Sequence, residues 1–431
     1  MSESKTLLNP PRGMRDFYPE DMPLREAIFD AWRSASLAFG FRPYDASVVE
    51  SLDLLKRKAG EEIVDQIYAF QDKSGRDLAL RPEMTPTLAR MVAAHQGALS
   101  FPLKWYAIAQ CFRYERMSRG RKREHYQWNL DVIGEPSVAA EVEVVAAAVR
   151  ALDLLGCPRG EVCVLYSSRA LLTELLLKLG IERARHDAIF LALDKLDKTG
   201  EEKMAGLLAD AGLEPGPVER IRDLLNVSSL EEAAGLLGHA DSPAHTDLCR
   251  FAELLEAYDL ADVVRFDLSI VRGLAYYTGI VFEAYDPQRK FRAVFGGGRY
   301  DNLLREVGGK PATGVGLGFG DVVVAELLGG LGVGAPASAS ATTAVGYLAE
   351  EQRMTAMAVA RALRASGARV DLALSPEKAK AFFSRVGKGG FDQAMFIGPD
   401  DVAKGTVRVK NLKTREEHEA SLTDIGVRPR H

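Results

Sequence analysis

KWYAIAQCFRYERMSRGRKREHYQWNLDVI, residues 104–133, is the stretch on which the fold turns. Lys104 to Phe112 is aromatic and apolar and reads as a strand. Tyr114 to Arg123 is charged and reads as a loop. Gln127 to Ile133 reads as the returning strand, so the whole is a long antiparallel hairpin. Arg113, Arg116, Arg119, Arg121, Arg123 and Lys122 crowd its tip. Arginine presents a fixed fork of donors that fits phosphate in a bidentate way. Taken alone, the same run is equally a solvated charged loop.

Working outward, Asp21 to Phe39 predicts an amphipathic helix. Leu24, Ile28, Trp32 and Ala35 recur at helical spacing, Asp21 serves as N-cap, Pro23 sits in the first turn and Gly40 ends it. Glu141 to Leu155 has helical composition. Ser168 to about Cys249 is helix-rich and looks like an insertion. Val264 to Phe282 and Arg292 to Phe295 look like further strands. Gly314 to Gly320 (GVGLGFG) alternates glycine with apolar residues. Leu328 to Thr343 is a Gly/Ala/Ser linker and marks a domain boundary. The expected division is 1–328, a linker over 329–343, and 344–431. In the last part, strands at 344–349, 369–374, 393–397 and 406–410 alternate with helices at 354–366 and 376–386, an α/β pattern.

The chain has 431 residues and a net charge of -5, with 47% hydrophobic and 27% charged residues, as in an ordinary globular protein. Residues 337–431 carry fifteen basic against eleven acidic side chains, so a basic tail domain follows an acidic body. That is a mild pointer to a polyanionic partner. Cys111, Cys157, Cys163 and Cys249 include no CxxC pair, which argues against a zinc knuckle or a disulfide framework and fits a reduced, cytoplasmic setting. No signal peptide opens the chain, and no uncharged apolar run reaches the roughly 18 residues of a membrane span.

Two more segments carry chemistry. Arg81-Pro82-Glu83-Met84-Thr85 sets a carboxylate two residues from a hydroxyl, a pair able to hold an ammonium group. Val271-Arg272-Gly273-Leu274-Ala275-Tyr276-Tyr277-Thr278-Gly279 is followed by Gly296-Gly297-Gly298-Arg299-Tyr300-Asp301. Successive glycines let a backbone approach a ligand closely, or make a tight bulge. Neither GxxxxGK[ST] nor a strand–helix GxGxxG accompanies them.

In this order the segments resemble the class II histidyl-tRNA synthetases. PRGMRDFYPED (11–21) is similar to the family's opening and LRPEMT (80–85) to its amino-acid segment. FRYER with RGRKRE resembles motif 2, VRGLAYYTGIVFE the family's histidine motif, and GGGRYDNLL with GVGLGFG motif 3. The resemblance implies an α+β fold: a six- or seven-stranded antiparallel sheet flanked by helices, a helical insertion (about 168–250), and a C-terminal α/β anticodon-binding domain. It implies a cytoplasmic homodimer that uses ATP, Mg²⁺, L-histidine and histidine tRNA, with no metal ligands from the protein.

The resemblance also implies roles. Arg113 and Arg272 are catalytic, meeting the α-phosphate. Glu83, Thr85, Gln127, Asp131, Tyr276 and Tyr277 bind histidine, with Asp131 and Tyr277 on the two imidazole nitrogens and Tyr276 also packing into the sheet. Arg113, Arg121, His125, Arg272, Gly296, Gly297 and Gly298 bind ATP. Arg119, Arg123, Lys410 and Lys413 touch tRNA.

Several positions depart from the family pattern. Gly320-Asp321 stands where motif 3 usually ends in Glu-Arg, and His125 where a phenylalanine is usual. Ser47 replaces the motif 1 proline, and Met117-Ser118 replaces Pro-Gln. Asp131 replaces the commoner glutamate and Ala275 the commoner aspartate. Two rival readings are a catalytically idle paralogue that senses histidine as the regulatory subunit of ATP phosphoribosyltransferase, and a glycyl, prolyl or threonyl class II synthetase.

Overall fold

Period-two alternation builds the long central strands of the first unit, and amphipathic helices build the layer on them. The structure is a computed structural model describing residues 8–58, 66–194, 206–209, 213, 215–238, 242–273, 276–334 and 342–427. Two units divide the chain, 1–335 and 336–431. The linker expected over 329–343 includes 335–341, which lie outside the described residues, as does Ala275. The helix Asp321–Gly330 runs past Leu328 into the stretch read as linker.

The strands of the first unit are β1 (Arg42–Pro43), β2 (Val49–Ser51), β3 (Ala69–Gln71), β4 (Asp77–Leu80), β5 (Leu103–Phe112), β6 (Glu124–Ile133), β7 (Cys163–Ser168), β8 (Val264–Phe266), β9 (Ile280–Tyr285), β10 (Phe295–Arg299) and β11 (Gly314–Gly320). Among the described residues the main sheet has eight strands, in the order β1-β5-β6-β11-β10-β9-β7-β8. The six central strands are antiparallel throughout, whereas the edges β1 and β8 run parallel to their neighbours. At two and three residues, these edges are too short to show alternation, so the expectation of six or seven strands undercounts the sheet. A small antiparallel sheet, β2-β4-β3, stands beside it.

One face of the main sheet is the core. Trp128, Leu130 and Val132 of β6 and Val315, Leu317 and Phe319 of β11 pack there against the helices Met22–Ala38 and Ala139–Leu154. Trp32 of the first helix meets Trp128 at 6.1 Å and Phe319 at 5.5 Å between ring centroids. The buried indole of Trp128 donates to Ser36 Oγ at 3.0 Å, and Ser36 in turn donates to the Trp32 carbonyl at 2.8 Å. This polar chain therefore has no orphaned donor. Asp21 precedes the helix but leaves its N–H groups uncapped; its carboxylate accepts from the Tyr18 N–H instead, at 3.1 Å.

Between β7 and β8 come helices Arg169–Lys178, His186–Asp194, Pro215–Leu225, Leu230–Leu237 and Pro243–Ala257. Ser168, Ser229 and Ser242 cap three of them by accepting the N–H of Leu171, Glu232 and His245. The second unit holds β12 (Thr342–Tyr347), β13 (Arg369–Leu372), β14 (Gln393–Ile397), β15 (Thr406–Asn411) and β16 (Glu417–Ser421), ordered β13-β12-β14-β15-β16. The first three are parallel, with helices Arg353–Ala365 and Ala379–Val386 between them. The last two form an antiparallel hairpin whose final strand, EHEAS, has no apolar alternation to announce it.

Candidate active site

The other face of the main sheet is floored by glycine. Along β11, Gly314, Gly316, Gly318 and Gly320 point away from the core that Val315, Leu317 and Phe319 fill. The missing Cβ atoms leave room for neighbours. A Cβ on Gly316 would lie 2.1 Å from Asp131 Oδ1, and one on Gly318 would lie 2.5 Å from Gln127 Nε2. On β10, a Cβ on Gly296 would lie 1.7 Å from Arg272 Nη1, and one on Gly298 would lie 3.0 Å from Tyr277 Cδ1. Gly297 turns the opposite way, toward Phe282 and the backbone of β11, so of the GGG run only alternate residues belong to the floor.

Over this floor lies a cleft with two lobes. The tyrosine lobe, about 560 Å³, is lined by Glu83, Thr85, Gln127, Asn129, Tyr276, Tyr277 and Tyr300. The hairpin lobe, about 520 Å³, is lined by Lys122, His125, Arg289, Arg292, Gly320 and Val323. Arg113, Arg121, Gln127, Arg272 and Gly296 border both. Each lobe has the size of a small-molecule site.

The polar groups are held in place by specific partners. Arg113 donates through Nε to the Pro82 carbonyl at 2.9 Å, tying the hairpin base to the segment that carries Glu83. Glu83 is buried and accepts from the Tyr276 hydroxyl at 3.2 Å. Burial pushes its carboxyl up, while Arg113, Tyr276 and Arg272 pull it down. Tyr276 thus reaches the cavity besides packing against Tyr277. Thr85 opens the helix Thr85–His95, half-buried at the wall. Arg272 donates to Glu283 Oε1 at 2.8 Å, and Arg121 pairs with Glu115. His125 is driven down to about 3 by burial and by Arg113 and Arg15, so it is neutral at physiological pH.

Asp131 is set back from the cavity wall. It accepts from the Tyr300 hydroxyl at 2.5 Å, and its Oδ2 is buried with no hydrogen-bond partner among the described residues. Burial raises its carboxyl to about 7. Aspartate is one methylene shorter than the glutamate common at this place, and Tyr300 lines the lobe in front of it.

Several contributing residues escaped sequence reasoning. Helix His186–Asp194 walls the tyrosine lobe through Asp187, Phe190 and Asp194. Asp194 Oδ1 accepts the Gly273 N–H at 2.8 Å, and Arg169 donates to the Arg272 carbonyl at 3.4 Å. Nothing local in the insertion signals these contacts. Tyr300 and Glu283 lie inside quoted motifs; Glu283 pairs with Gly296 across the register, and the Tyr300 ring lies against Gly314.

The departures have structural partners too. Asp321 is buried, accepts the Tyr126 N–H at 2.9 Å and pairs with Arg15 at 2.9 Å, which pins the RGMRD segment. Ser47 accepts the Val49 N–H at 3.2 Å, and Ser118 closes a turn with Arg121. Of the basic residues read as tRNA contacts, Arg119 pairs with Glu326 at 3.6 Å and stacks on Phe291, and Arg123 stacks on Tyr114 at 3.7 Å. Lys410 pairs with Glu417 and Lys413 with Asp392, the latter at 2.6 Å. Among the described residues no three His, Cys, Asp or Glu side chains converge as a metal cage. No described helix is long and apolar enough to cross a membrane.

Comparison with known proteins bears on the same residues. Residues 13–321 match the family described as histidyl-tRNA synthetase, and 336–426 match the anticodon binding domain. The chain is 40% identical to the chloroplastic/mitochondrial histidine–tRNA ligase of Arabidopsis thaliana, over 97% of this chain and 86% of that one. It is 39% identical to the histidine–tRNA ligase of Opitutus terrae over 94% of each. In fold it is similar to the crystal structure of histidyl-tRNA synthetase from Nostoc sp., with a TM-score of 0.79, 23% identity, and 97% of this chain and 98% of that one covered. With sequence matches across both units and a cleft formed by the matched motifs, the chain belongs to the histidyl-tRNA synthetase family.

Proposed function

We propose that the cleft activates L-histidine with ATP and transfers it to histidine tRNA, with the tyrosine lobe for the amino acid and the hairpin lobe for the nucleotide. The observation that carries this reading is the junction: Arg113 and Arg272 border both lobes, where a carboxylate from one side would meet a phosphate from the other. A histidine carboxylate oxygen attacks the α-phosphorus of ATP, and the bond to pyrophosphate breaks. The 3′-terminal ribose hydroxyl of the tRNA then attacks the acyl carbon, and AMP leaves. The first step builds charge on phosphate, so fixed cations and positioning dominate.

Glu83 supplies the charge for the substrate ammonium, and Thr85 and Gln127 supply further polar contacts. Tyr277 serves one imidazole nitrogen. Asp131 serves the other through Tyr300, which lines the lobe and whose hydroxyl donates to Asp131 Oδ1. A site that hydrogen-bonds both ring nitrogens rejects amino acids lacking them by about 10⁴ or more. Arg113 and Arg272 bind the α-phosphate, Arg121 the outer phosphates, and neutral His125, with Gly296, borders the nucleotide. Mg²⁺ would be held by the outer phosphates of ATP and would offset their charge. The donor set fits an ion held by phosphate, because the cleft carboxylates Glu115 and Glu283 are each committed to an arginine.

Arg119, Arg123, Lys410 and Lys413 contact tRNA, which makes charging salt-sensitive. The enzyme works as a cytoplasmic homodimer, so light scattering should return twice the chain mass of 47.0 kDa. The decisive experiment is ATP–pyrophosphate exchange. We expect exchange that depends on histidine alone and is lost in Arg272→Ala. Saturable histidine binding without exchange would overturn the reading and favour a regulatory paralogue.

A further inference from the structure

We propose that Arg292 is a phosphate-binding residue, holding the outer phosphates of the nucleoside triphosphate together with Arg121. This deepens the reading of the hairpin lobe as the nucleotide site and rests on it. Of the arginines lining the cleft, Arg292 alone makes no hydrogen bond or ion pair among the described residues. Arg113 is tied to the Pro82 carbonyl, Arg121 to Glu115, Arg272 to Glu283 and Arg169 to Asp187, while Arg289 lies over Tyr285. Arg292 lines the hairpin lobe with its charge uncommitted to any neighbouring carboxylate, so its donors are free for an anionic ligand there.

The surroundings make that anion a polyphosphate. Arg292 runs beside Gly120 at the tip of the arginine hairpin, where a Cβ would lie 3.5 Å from Arg292 Cγ. It is near enough to Arg121 for the two like charges to repel, and Arg121 is lowered in part by Arg292. Two arginines facing one space, with Lys122 at the same lobe, suit a ligand of several negative charges. The adjoining position 321, by contrast, contributes a carboxylate already engaged by Arg15.

Arg292 is also presented rigidly. The turn before it is knitted by Asp286, whose side chain accepts the N–H of Lys290 and Phe291, both at 2.9 Å. Phe291 is held between Arg119 and the helix that ends at Gly330. Val294 then rejoins the sheet through its N–H to the Ala284 carbonyl at 2.7 Å. The backbone that carries Arg292 is thus already ordered, and only its side chain gives up freedom on meeting a ligand.

The test is calorimetric binding of ATP and of AMP to the full-length wild type, Arg292→Ala and Arg292→Lys. Because Arg292 has no partner, both variants should fold. We expect Arg292→Ala to weaken ATP binding about tenfold or more, the scale of one charge-assisted hydrogen bond. AMP binding should be nearly unchanged, and Arg292→Lys should recover part of the loss. Equal losses for ATP and AMP, or undiminished ATP binding, would overturn the assignment. Pyrophosphate exchange on the same preparations separates the two claims. A wild type that binds ATP through Arg292 but catalyses no exchange refutes the activity and leaves the phosphate contact standing.

Discussion

The two faces of the eight-stranded sheet are spelled by the same strands and do opposite work. On one, Val315, Leu317 and Phe319 of β11 interdigitate with Trp32 and Trp128. On the other, the intervening glycines withhold side chains so that Asp131, Gln127 and Arg272 can lie across the floor. The contrast teaches that a strand can separate stability from chemistry residue by residue. Apolar bulk on one side fixes the backbone, and its absence at the glycines on the other leaves space that polar side chains fill from neighbouring segments.

Substitutions can break this division. The largest effect should come from the packed face. Trp128→Ala removes a fully buried ring and its bond to Ser36, and should cost about 3–5 kcal/mol of unfolding free energy. Below its melting point the variant should keep a near-normal KM for histidine. A variant with native stability and a damaged site would contradict the separation. On the glycine face the pattern inverts. Gly296→Ala puts a methyl where Arg272 Nη1 lies, and that flexible end must move. Histidine-dependent exchange should fall by about 10²-fold, while urea unfolding shifts by only about 1 kcal/mol, the low end for overpacking, because side-chain ends rather than backbone must move. Collapse of both would mean that the floor is part of the core.

A third test sharpens the comparison through pH. The carboxyl of Asp131 titrates near 3.8 when unfolded and is raised to about 7 by burial in the folded protein. Between those values the unfolded chain ionises first, so the contribution of Asp131 to stability is greatest below the lower value and declines as pH rises to about 7. Above that it is constant. Unfolding free energies measured across this interval should fall less steeply in Asp131→Asn than in the wild type. Parallel pH profiles would show that Asp131 is not desolvated in solution.

Much of this was legible in the residues. The apolar flanks of the arginine hairpin pointed to β5 and β6, and the alternation of GVGLGFG was in view without being read as a strand, which in the structure is β11. Glu83, Arg113, Gln127, Arg272 and Tyr277 do meet at one cleft. Short or distant features were illegible. β2 and β3 are three residues each, with no alternation to read. Asp194 meets Gly273 across 79 positions, and no local pattern encodes such a contact. Arg292 lay in view, four residues before the first of the three glycines, but its lack of a partner is visible only in three dimensions.

That long-range contact limits how the enzyme could be trimmed. The helical insertion invites treatment as an appendage that a shorter ancestor lacked and an engineer could excise. Its first two helices, however, supply the carboxylate of Asp194 and the guanidinium of Arg169, and these clasp the N–H and the carbonyl of the one peptide that joins Arg272 to Gly273. A minimal version of this scaffold can therefore discard only the insertion residues beyond the helix His186–Asp194. Any deletion that reaches further back would free the peptide on which the site's central cation is mounted.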